Sequence, residues 1–349
     1  MPRSDATTAG VSAPAVGPPP DRYRAMASKY LTKLATIGVP VVLALAFLLP
    51  QVVTSPFRLQ IFTIAFLNAA VVAPLVLSLG YAGMLNLSQG TFYGLGAYTT
   101  AILVTDHRWS FEAAIVAAAI AAGIGGGLLA LATARVKGDY FVLISLGMTI
   151  AVAQLLANLP DLTRGREGFF GIPTLDFFGL SFGDPVTGYY LCLGLLVVLY
   201  IVVSRIASGF LGRSMLVVRY DDVAARSMGI KPLNIRVTAM VLSSALVGVA
   251  GAFLTATLKF ISPADFNFDA SFMLSLYVII GGMASLPGAV AVAVIFTLLN
   301  EEFRGISDYS VGLVGIAVMI AVFLRGGVIK DVLDDRRARS GKQVRDASR

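Results

Sequence analysis

The sequence predicts an all-α protein, a polytopic bundle of transmembrane helices. Hydrophobic residues make up 57% of the 349-residue chain and charged residues only 13%, and the mean hydropathy is +0.81. A soluble domain of this size could not bury so much apolar surface. The apolar segments lie near 34–53, 59–80, 90–105, 111–134, 140–159, 188–207, 237–258, 270–284, 286–300 and 309–324.

Both ends of the chain are polar. Residues 1–30 are rich in Pro, Ala, Ser and Thr and lack apolar periodicity, so we expect a disordered cytoplasmic tail there. Residues 327–349 are expected to form a second polar cytoplasmic tail. The membrane domain is then expected to extend over residues 31–326.

Several of the apolar segments are short. A helix needs about 20 residues to cross the hydrocarbon, so the third, eighth and ninth segments could be tilted, broken or re-entrant. The eighth and ninth could form one helix, but the sequence Ser285-Leu286-Pro287-Gly288 favours a break between them. We predict ten spans, or eight to nine if a short segment is re-entrant.

The cations predict the orientation. With ten spans and the amino terminus inside, 21 of the 27 Lys and Arg residues fall on the inside. This asymmetry predicts that both termini are cytoplasmic. The cytoplasmic segments would then be 1–33, 134–139, 205–236 and 325–349.

One long loop, residues 160–187, falls on the outside. It holds several Gly and Pro residues together with Phe169, Phe170, Phe177 and Phe178. Its aromatic residues are typical of an interfacial belt, and a docking surface for an external partner is the alternative interpretation.

Residues that would support chemistry are scarce. The chain has one His and one Cys, Cys192, so we expect no catalytic residue, no metal and no cofactor. None of the 20 Asp and Glu residues falls near the middle of a predicted span, which argues against coupling to an ion. The phosphate-binding pattern GxxxxGK[ST] does not occur. The net charge of +7 follows from the membrane topology and does not indicate binding to nucleic acid.

Residues 80–103 are unusually polar and rich in Gly for a membrane segment. Non-helical backbone at membrane depth persists only where it is buried in protein or lines water. The segment therefore indicates a translocation path. Its candidate residues are Gly83, Asn86, Ser88, Gln89 and Tyr98.

Residues 212–236 concentrate charge between two apolar segments. A basic segment that joins two spans is expected to face the cytoplasm. It is too short to fold alone and could serve as a contact for another protein.

Four blocks carry a family resemblance. They are residues 80–103, the run Arg135-Val136-Lys137-Gly138-Asp139-Tyr140-Phe141, the loop Gly212–Pro232, and the run IIGGMASLPGA at 279–289. Together these blocks resemble the permeases of branched-chain amino acid ABC importers, specifically the LivM-type subunit. The similarity extends over residues 58–326.

The resemblance implies a bacterial inner-membrane permease in a lipid bilayer. Its implied partners are two ATPase subunits, a second related permease and a periplasmic solute-binding protein. A family of urea or short-amide permeases is an alternative, and a stand-alone channel is a more distant one.

The resemblance also implies that the loop 208–236 is the segment that couples the permease to the ATPase. ABC importer permeases carry Glu-Ala-Ala followed by Gly, and Ala224, Ala225 and Gly229 fit that spacing, with Val223 at the Glu position. We expect Gly229 to end a short helix and Ala225 to pack against the ATPase. The candidate coupling residues are Arg219, Asp221, Asp222, Ala224, Ala225, Arg226, Gly229, Ile230 and Lys231.

Small residues recur at helical spacing. Ser244, Gly248 and Ala252 would lie along one face of a helix. Such residues let helix backbones approach closely in lipid, so we expect close packing there, and a hinge or pore-lining role is the alternative.

Overall fold

The computed structural model describes residues 46–51, 55–134 and 139–302. The chain divides into two compact units, Met1–Leu49 and Pro50–Arg349. Residues 46–49 of the first unit are helical. The second unit contains every element named below.

The described residues of the second unit are mainly helical and include one small hairpin. A π-helical turn, Val76–Tyr81, follows α1, and 3₁₀ turns lie at Gly165–Glu167 and Pro263–Phe266. The strands β1 (Asp176–Phe177) and β2 (Leu180–Ser181) pair antiparallel, with Asp176 opposite Ser181. The helices are α1 (Pro56–Leu75), α2 (Gln89–Thr105), α3 (Phe111–Ala132), α4 (Asp139–Ala157), α5 (Pro160–Thr163), α6 (Pro185–Ser208), α7 (Phe210–Tyr220), α8 (Asp222–Ser227), α9 (Pro232–Leu258), α10 (Phe268–Gly281) and α11 (Leu286–Glu302).

Five of the described helical segments are long and apolar enough to cross a membrane. They are Pro56–Tyr81, Phe111–Ala132, Tyr140–Ala157, Pro185–Ser208 and Pro232–Leu258. The chain is therefore a helical, multi-pass membrane protein. Most of the predicted segment 34–53, all of 309–324 and both predicted tails, 1–30 and 327–349, lie outside the described residues.

The shorter predicted segments form separate helices. The third segment corresponds to α2, which is one continuous helix of 17 residues. The eighth and ninth correspond to α10 and α11, and the chain turns between them at Gly282, where φ is 100°. The predicted break is therefore present, and it lies at residues 282–285, just before the Leu-Pro-Gly sequence that begins α11.

The predicted close packing of small residues is confirmed. A Cβ atom at Gly248 of α9 would lie 2.5 Å from the Cβ atom of Ala122 in α3. On α2, Gly96 meets the backbone of Gly248 at similarly short range. Gly248 thus allows α9 to approach both neighbours, and α9 with α2 and α3 forms the densest part of the core.

The turns between helices gather at two ends of the second unit. At the end that we call the far end, Arg164 Nη2 lies 3.3 Å from Asp106 Oδ1, and Phe169 N donates to Ile261 O over 2.8 Å. These bonds join the turn after α2, the segment between α4 and α6, and the turn after α9. The opposite end, which holds α7 and α8, we call the coupling end.

The predicted outer loop 160–187 packs at the far end. The ring of Phe169 is fully buried, whereas that of Phe178 is 79% exposed. Glu112 Oε1 accepts a hydrogen bond from Phe178 N over 3.0 Å and so fixes the hairpin against the start of α3. Phe169 is therefore part of the packed structure of the loop, whereas Phe178 lies on its exposed surface.

Candidate functional site

The predicted translocation residues lie at a break in the bundle. After the π-helical turn that follows α1, residues 82–88 leave helical geometry, and α2 begins at Gln89. We call residues 82–88 the unwound segment. Gly83 is exposed, whereas Asn86, Ser88 and Gln89 are fully buried.

Helix α4 holds the unwound segment well inside the bundle. Leu87 N donates to Ser145 Oγ over 3.1 Å, and Leu87 O accepts from Thr149 Oγ1 over 2.8 Å. At a rise of about 1.5 Å per residue, these two side chains lie about 9 and 15 Å along α4 from its start. Non-helical backbone therefore lies at membrane depth, surrounded by protein.

Asn86 connects the unwound segment to two further helices. Its carbonyl oxygen accepts from Ser275 Oγ of α10 over 3.2 Å, and its Nδ2 lies 3.8 Å from Met240 Sδ of α9. Its Oδ1 accepts from Ser88 N over 2.8 Å. Helices α9 and α10 thus meet the unwound segment at a single residue.

Gln89 and Tyr98 occupy different levels of α2. Gln89 Nε2 lies 3.4 Å from both Ser78 Oγ and Ser243 Oγ. Tyr98, nine residues later, is buried with its ring 6.1 Å from that of Phe266. The structure therefore brings Asn86, Ser88 and Gln89 together and leaves Tyr98 on the far-end half of α2.

The candidate coupling segment forms two short helices, α7 and α8. Asp221 caps α8, since its Oδ1 accepts from Val223 N over 2.7 Å. At the other end, Gly229 N donates to Arg226 O over 2.9 Å and Ile230 N to Ala225 O over 3.0 Å. These two bonds form a Schellman motif, with Gly229 at φ 77°. As expected, Gly229 ends the short helix.

The exposed surface of α8 differs from our expectation. Ala225 is fully buried within the chain, so the prediction that it packs against an ATPase is wrong: its methyl group already contacts this chain. The exposed apolar side chains here are Tyr220, Val223 and Met228, at 83%, 70% and 67% exposure. We call these three the docking patch. Sequence spacing alone could not reveal which side of a six-residue helix faces inward.

The charged side chains of the segment differ in their contacts. Asp222 Oδ1 accepts from Arg236 Nη2 over 2.8 Å and so ties α8 to α9. The side chains of Asp221, Ala224, Arg226 and Lys231 are exposed, and Ile230 is half-buried. The segment therefore pairs one fixed contact with a largely accessible surface.

Arg219 links the coupling segment to the unwound segment. Its Nη1 donates to Gly80 O, and its Nη2 lies 3.8 Å from Met283 Sδ in the turn between α10 and α11. A Cβ atom at Gly83 would lie 2.6 Å from Arg219 Cγ. The last turn of α7 is thus packed directly against the start of the unwound segment.

Arg219 also lines a pocket of about 320 Å³ at the coupling end. Residues 82–85, Thr133 and Arg236 form other parts of its wall. The described residues contain no group of three or more His, Cys, Asp or Glu side chains that could hold a metal ion.

Sequence reasoning missed the partners of the unwound segment. Ser145, Thr149, Met240 and Ser275 lie inside apolar helices, and no local motif marks them. A weak signal was available, because serine and threonine in transmembrane helices commonly bond across helices.

Comparisons with known proteins agree with this architecture. The model of a protein family described as a branched-chain amino acid transport system / permease component matches residues 57–323. No solved structure matches the chain at a significant level.

Three curated relatives match two thirds or more of the chain. The high-affinity branched-chain amino acid transport system permease protein LivM of Salmonella typhimurium is 29% identical, covering 85% of this chain and 81% of its own. The Escherichia coli protein of the same name is 30% identical, covering 80% and 76%. The permease protein LivH of the same system in E. coli is 24% identical, covering 69% and 85%. With its helical membrane architecture and these matches, the chain belongs to the family of branched-chain amino acid transport system permease components.

Proposed function

We propose that this chain is the permease subunit of a bacterial ABC importer in the inner membrane, and that it moves branched-chain or related amino acids. The observation that carries the mechanism is the contact of Arg219 with Gly80 and Gly83. It connects the coupling segment to non-helical backbone inside the bundle. Movement applied to α8 would therefore reach the unwound segment through Arg219 at the end of α7.

The proposed assembly contains two ATPase subunits, a second related permease and a periplasmic solute-binding protein. The similarity to both LivM and LivH supports a pair of related permease chains. The docking patch supports an ATPase contact, because an exposed apolar surface beside charged residues is typical of a protein interface. The names of the relatives favour branched-chain amino acids over urea or short amides.

Alternating access would then proceed as follows. ATP-driven closure of the ATPases moves α8, which is stiff because both its ends are capped. Arg219 transmits this movement to the unwound segment and to the turn at Met283. The helices that hold the unwound segment shift, and the path opens alternately to the two sides.

The topology that we propose places α7, α8 and both termini in the cytoplasm, with ten spans in the whole chain. Arg226→Cys in a Cys192→Ser background tests the orientation with a membrane-impermeant thiol reagent. We expect labelling from the cytoplasmic side alone. Labelling from outside in intact cells would overturn the topology.

Reconstitution tests the function itself. The chain alone in vesicles should not concentrate leucine, because it has no energy source, whereas the full assembly with ATP should. Concentrative uptake by the chain alone would overturn the proposal. Full-assembly uptake of urea in preference to leucine would overturn the substrate assignment.

The docking patch is tested with charge substitutions. Val223→Asp and Met228→Asp should weaken co-purification of the ATPases and lower uptake, because binding would then bury a carboxylate. Ser208→Asp is the matched control, since Ser208 is also exposed near the coupling end but lies outside the patch. Equal ATPase binding in both aspartate variants and the control would argue against the patch.

Gly229→Pro should likewise abolish coupling, because it removes an N–H donor and a left-handed backbone, while membrane insertion is retained.

A further inference from the structure

Helix α2 carries an unusual set of polar atoms. Five buried side-chain oxygen atoms lack a hydrogen-bond partner among the described residues, and all five belong to α2. Buried polar groups are normally paired, because leaving one unpaired costs free energy. The atoms are Gln89 Oε1, Thr91 Oγ1, Tyr93 OH, Tyr98 OH and Thr105 Oγ1.

Paired hydroxyl groups nearby show that this arrangement is not general. Thr100, also on α2, donates to Gly96 O over 3.0 Å, and Thr63 on α1 donates to Leu59 O over 2.8 Å. Threonine in a buried helix can therefore satisfy itself on its own backbone. Thr91 and Thr105 do not.

Three of the unpaired hydroxyl groups form a stripe. Thr91, Tyr98 and Thr105 are seven residues apart, so they lie on one face of α2 and extend over about 21 Å. Gly96, which meets Gly248 of α9, lies two residues before Tyr98 and so on roughly the opposite face. The hydroxyl stripe (Thr91, Tyr98 and Thr105) is therefore not the face that packs against α9.

The unwound segment and α2, taken together, border a pocket at each end. Thr105 lines a pocket of about 440 Å³ at the far end, together with Arg108, Glu112 and Asp176. At the coupling end, the unwound segment that leads into α2 lines the pocket of about 320 Å³ beside Arg219. The unwound segment and α2 thus extend from one pocket to the other.

Phe266 covers the middle of the hydroxyl stripe. Its ring is 2% exposed and lies 6.1 Å from the ring of Tyr98. A Cβ atom at Gly94 would lie 2.8 Å from Phe266 Cγ, and Gly94 lies between Thr91 and Tyr98 on nearly the same face. Without a side chain at Gly94, the Phe266 ring can sit directly on the helix.

We propose that the hydroxyl stripe is the solute-contacting wall of the translocation path, and that Phe266 closes this path in the state described. This inference rests on the proposed function. Hydroxyl groups without partners can bond a passing solute without first breaking bonds of their own. They also carry no charge that would hold an ion.

The chemistry of the wall indicates its solute. Each hydroxyl can donate to a carboxylate or accept from an ammonium group, and the rings of Tyr98 and Phe266 offer apolar surface. The matching solute is a small zwitterion with an apolar side chain, that is, an aliphatic amino acid.

The first experiment removes single hydroxyl groups in the full assembly, reconstituted with ATP. Tyr98→Phe, Thr91→Val and Thr105→Val should leave the thermal midpoint unchanged or raise it, because no bond is lost. Each should lower leucine uptake by roughly three- to tenfold, the effect of one hydrogen bond. Thr100→Val and Thr63→Val are the controls and should lower the midpoint without changing KM.

Two failures can be told apart. If the unaltered assembly shows no ATP-dependent leucine uptake, the proposed function fails. If it imports leucine, and a variant that combines Tyr98→Phe, Thr91→Val and Thr105→Val imports leucine with the same KM and maximal rate, the hydroxyl-stripe proposal is overturned.

The second experiment concerns the closure at Phe266. In the full assembly without ATP, Phe266→Ala should allow leucine to leak across the vesicle membrane, with Phe266→Leu leaking less. Phe253→Ala is the control, because Phe253 is also buried but packs with Phe111, Phe177 and Phe182. Leak from neither Phe266 variant, with correct insertion, or equal leak from Phe253→Ala, would contradict the closing role.

Discussion

Helix α8 and the unwound segment are both short, but they are held by different means. The caps of α8 join residues no more than five positions apart, as in the bond from Ile230 N to Ala225 O. The unwound segment depends on partners 57 positions away at Ser145 and 189 positions away at Ser275. A locally closed element keeps its shape when it is displaced. An element held by several helices must change when those helices move, so the two regions suit a lever and the part that it moves.

The largest effect is expected where the unwound segment meets the coupling end. Gly80→Ala would drive a Cβ atom into the carbonyl group of Met283, and rigid backbone cannot rotate away as a side chain can. We expect a loss of about 3 kcal/mol in the free energy of unfolding, the upper part of the range for overpacking. The thermal midpoint of the purified protein in detergent measures it.

Gly194→Ala provides the control for that prediction. A Cβ atom at Gly194 in α6 would meet nothing within 4 Å. Alanine there should be neutral or stabilise the helix by about 1 kcal/mol. Equal midpoints for the two variants would show that the contact between Gly80 and Met283 is not tight.

The long-range bonds to α4 come next. Removing the two hydroxyl groups with Ser145→Ala and Thr149→Val leaves Leu87 N and Leu87 O inside the bundle without these partners. We expect a loss of about 2 kcal/mol, the low end for two unsatisfied buried groups that each cost about 1–3 kcal/mol. Ser208→Ala, on the exposed surface, should change nothing. An unchanged midpoint for the double variant would mean that the unwound segment has other support.

The difference between the local contacts of α8 and the long-range contacts of the unwound segment also determines what the sequence could predict. The caps of α8 follow from Asp221 and Gly229 by short-range rules, and the break near Pro287 and the close approach at Gly248 follow from composition. The depth of Asn86 and its contacts with Met240 and Ser275 depend on how distant helices come together, which no local pattern encodes. The burial of Ala225 was missed for the same reason, because packing of the whole segment decides which side of α8 faces inward.

Local closure of α8 makes a further prediction. Gly229→Ala forces a Cβ atom into left-handed backbone, at a cost of about 1–2 kcal/mol. A Cβ atom there meets nothing within 4 Å, so the penalty is conformational. Gly229→Asn should be tolerated, because asparagine visits this region more readily. Hydrogen exchange of the Ile230 amide measures the local loss, and equal exchange in both variants would contradict the conformational account.

The smallest expected effect concerns the ion pair between Asp222 and Arg236, the contact that ties the otherwise locally closed α8 to α9. The two groups lie 2.8 Å apart, with side chains 14% and 28% exposed, so water screens them only in part. A double-mutant cycle with Asp222→Asn and Arg236→Met should give a coupling energy of about 1 kcal/mol. The pair between Arg164 and Asp106 at the far end is the matched comparison, because it is longer at 3.3 Å and more exposed, at 42% and 43%. Its cycle, with Arg164→Met and Asp106→Asn, should give a value near zero that high salt removes. If the far-end pair proved the stronger, α8 would be held to the bundle by its buried Ala225 rather than by charge, and loosening it would require a change at that residue.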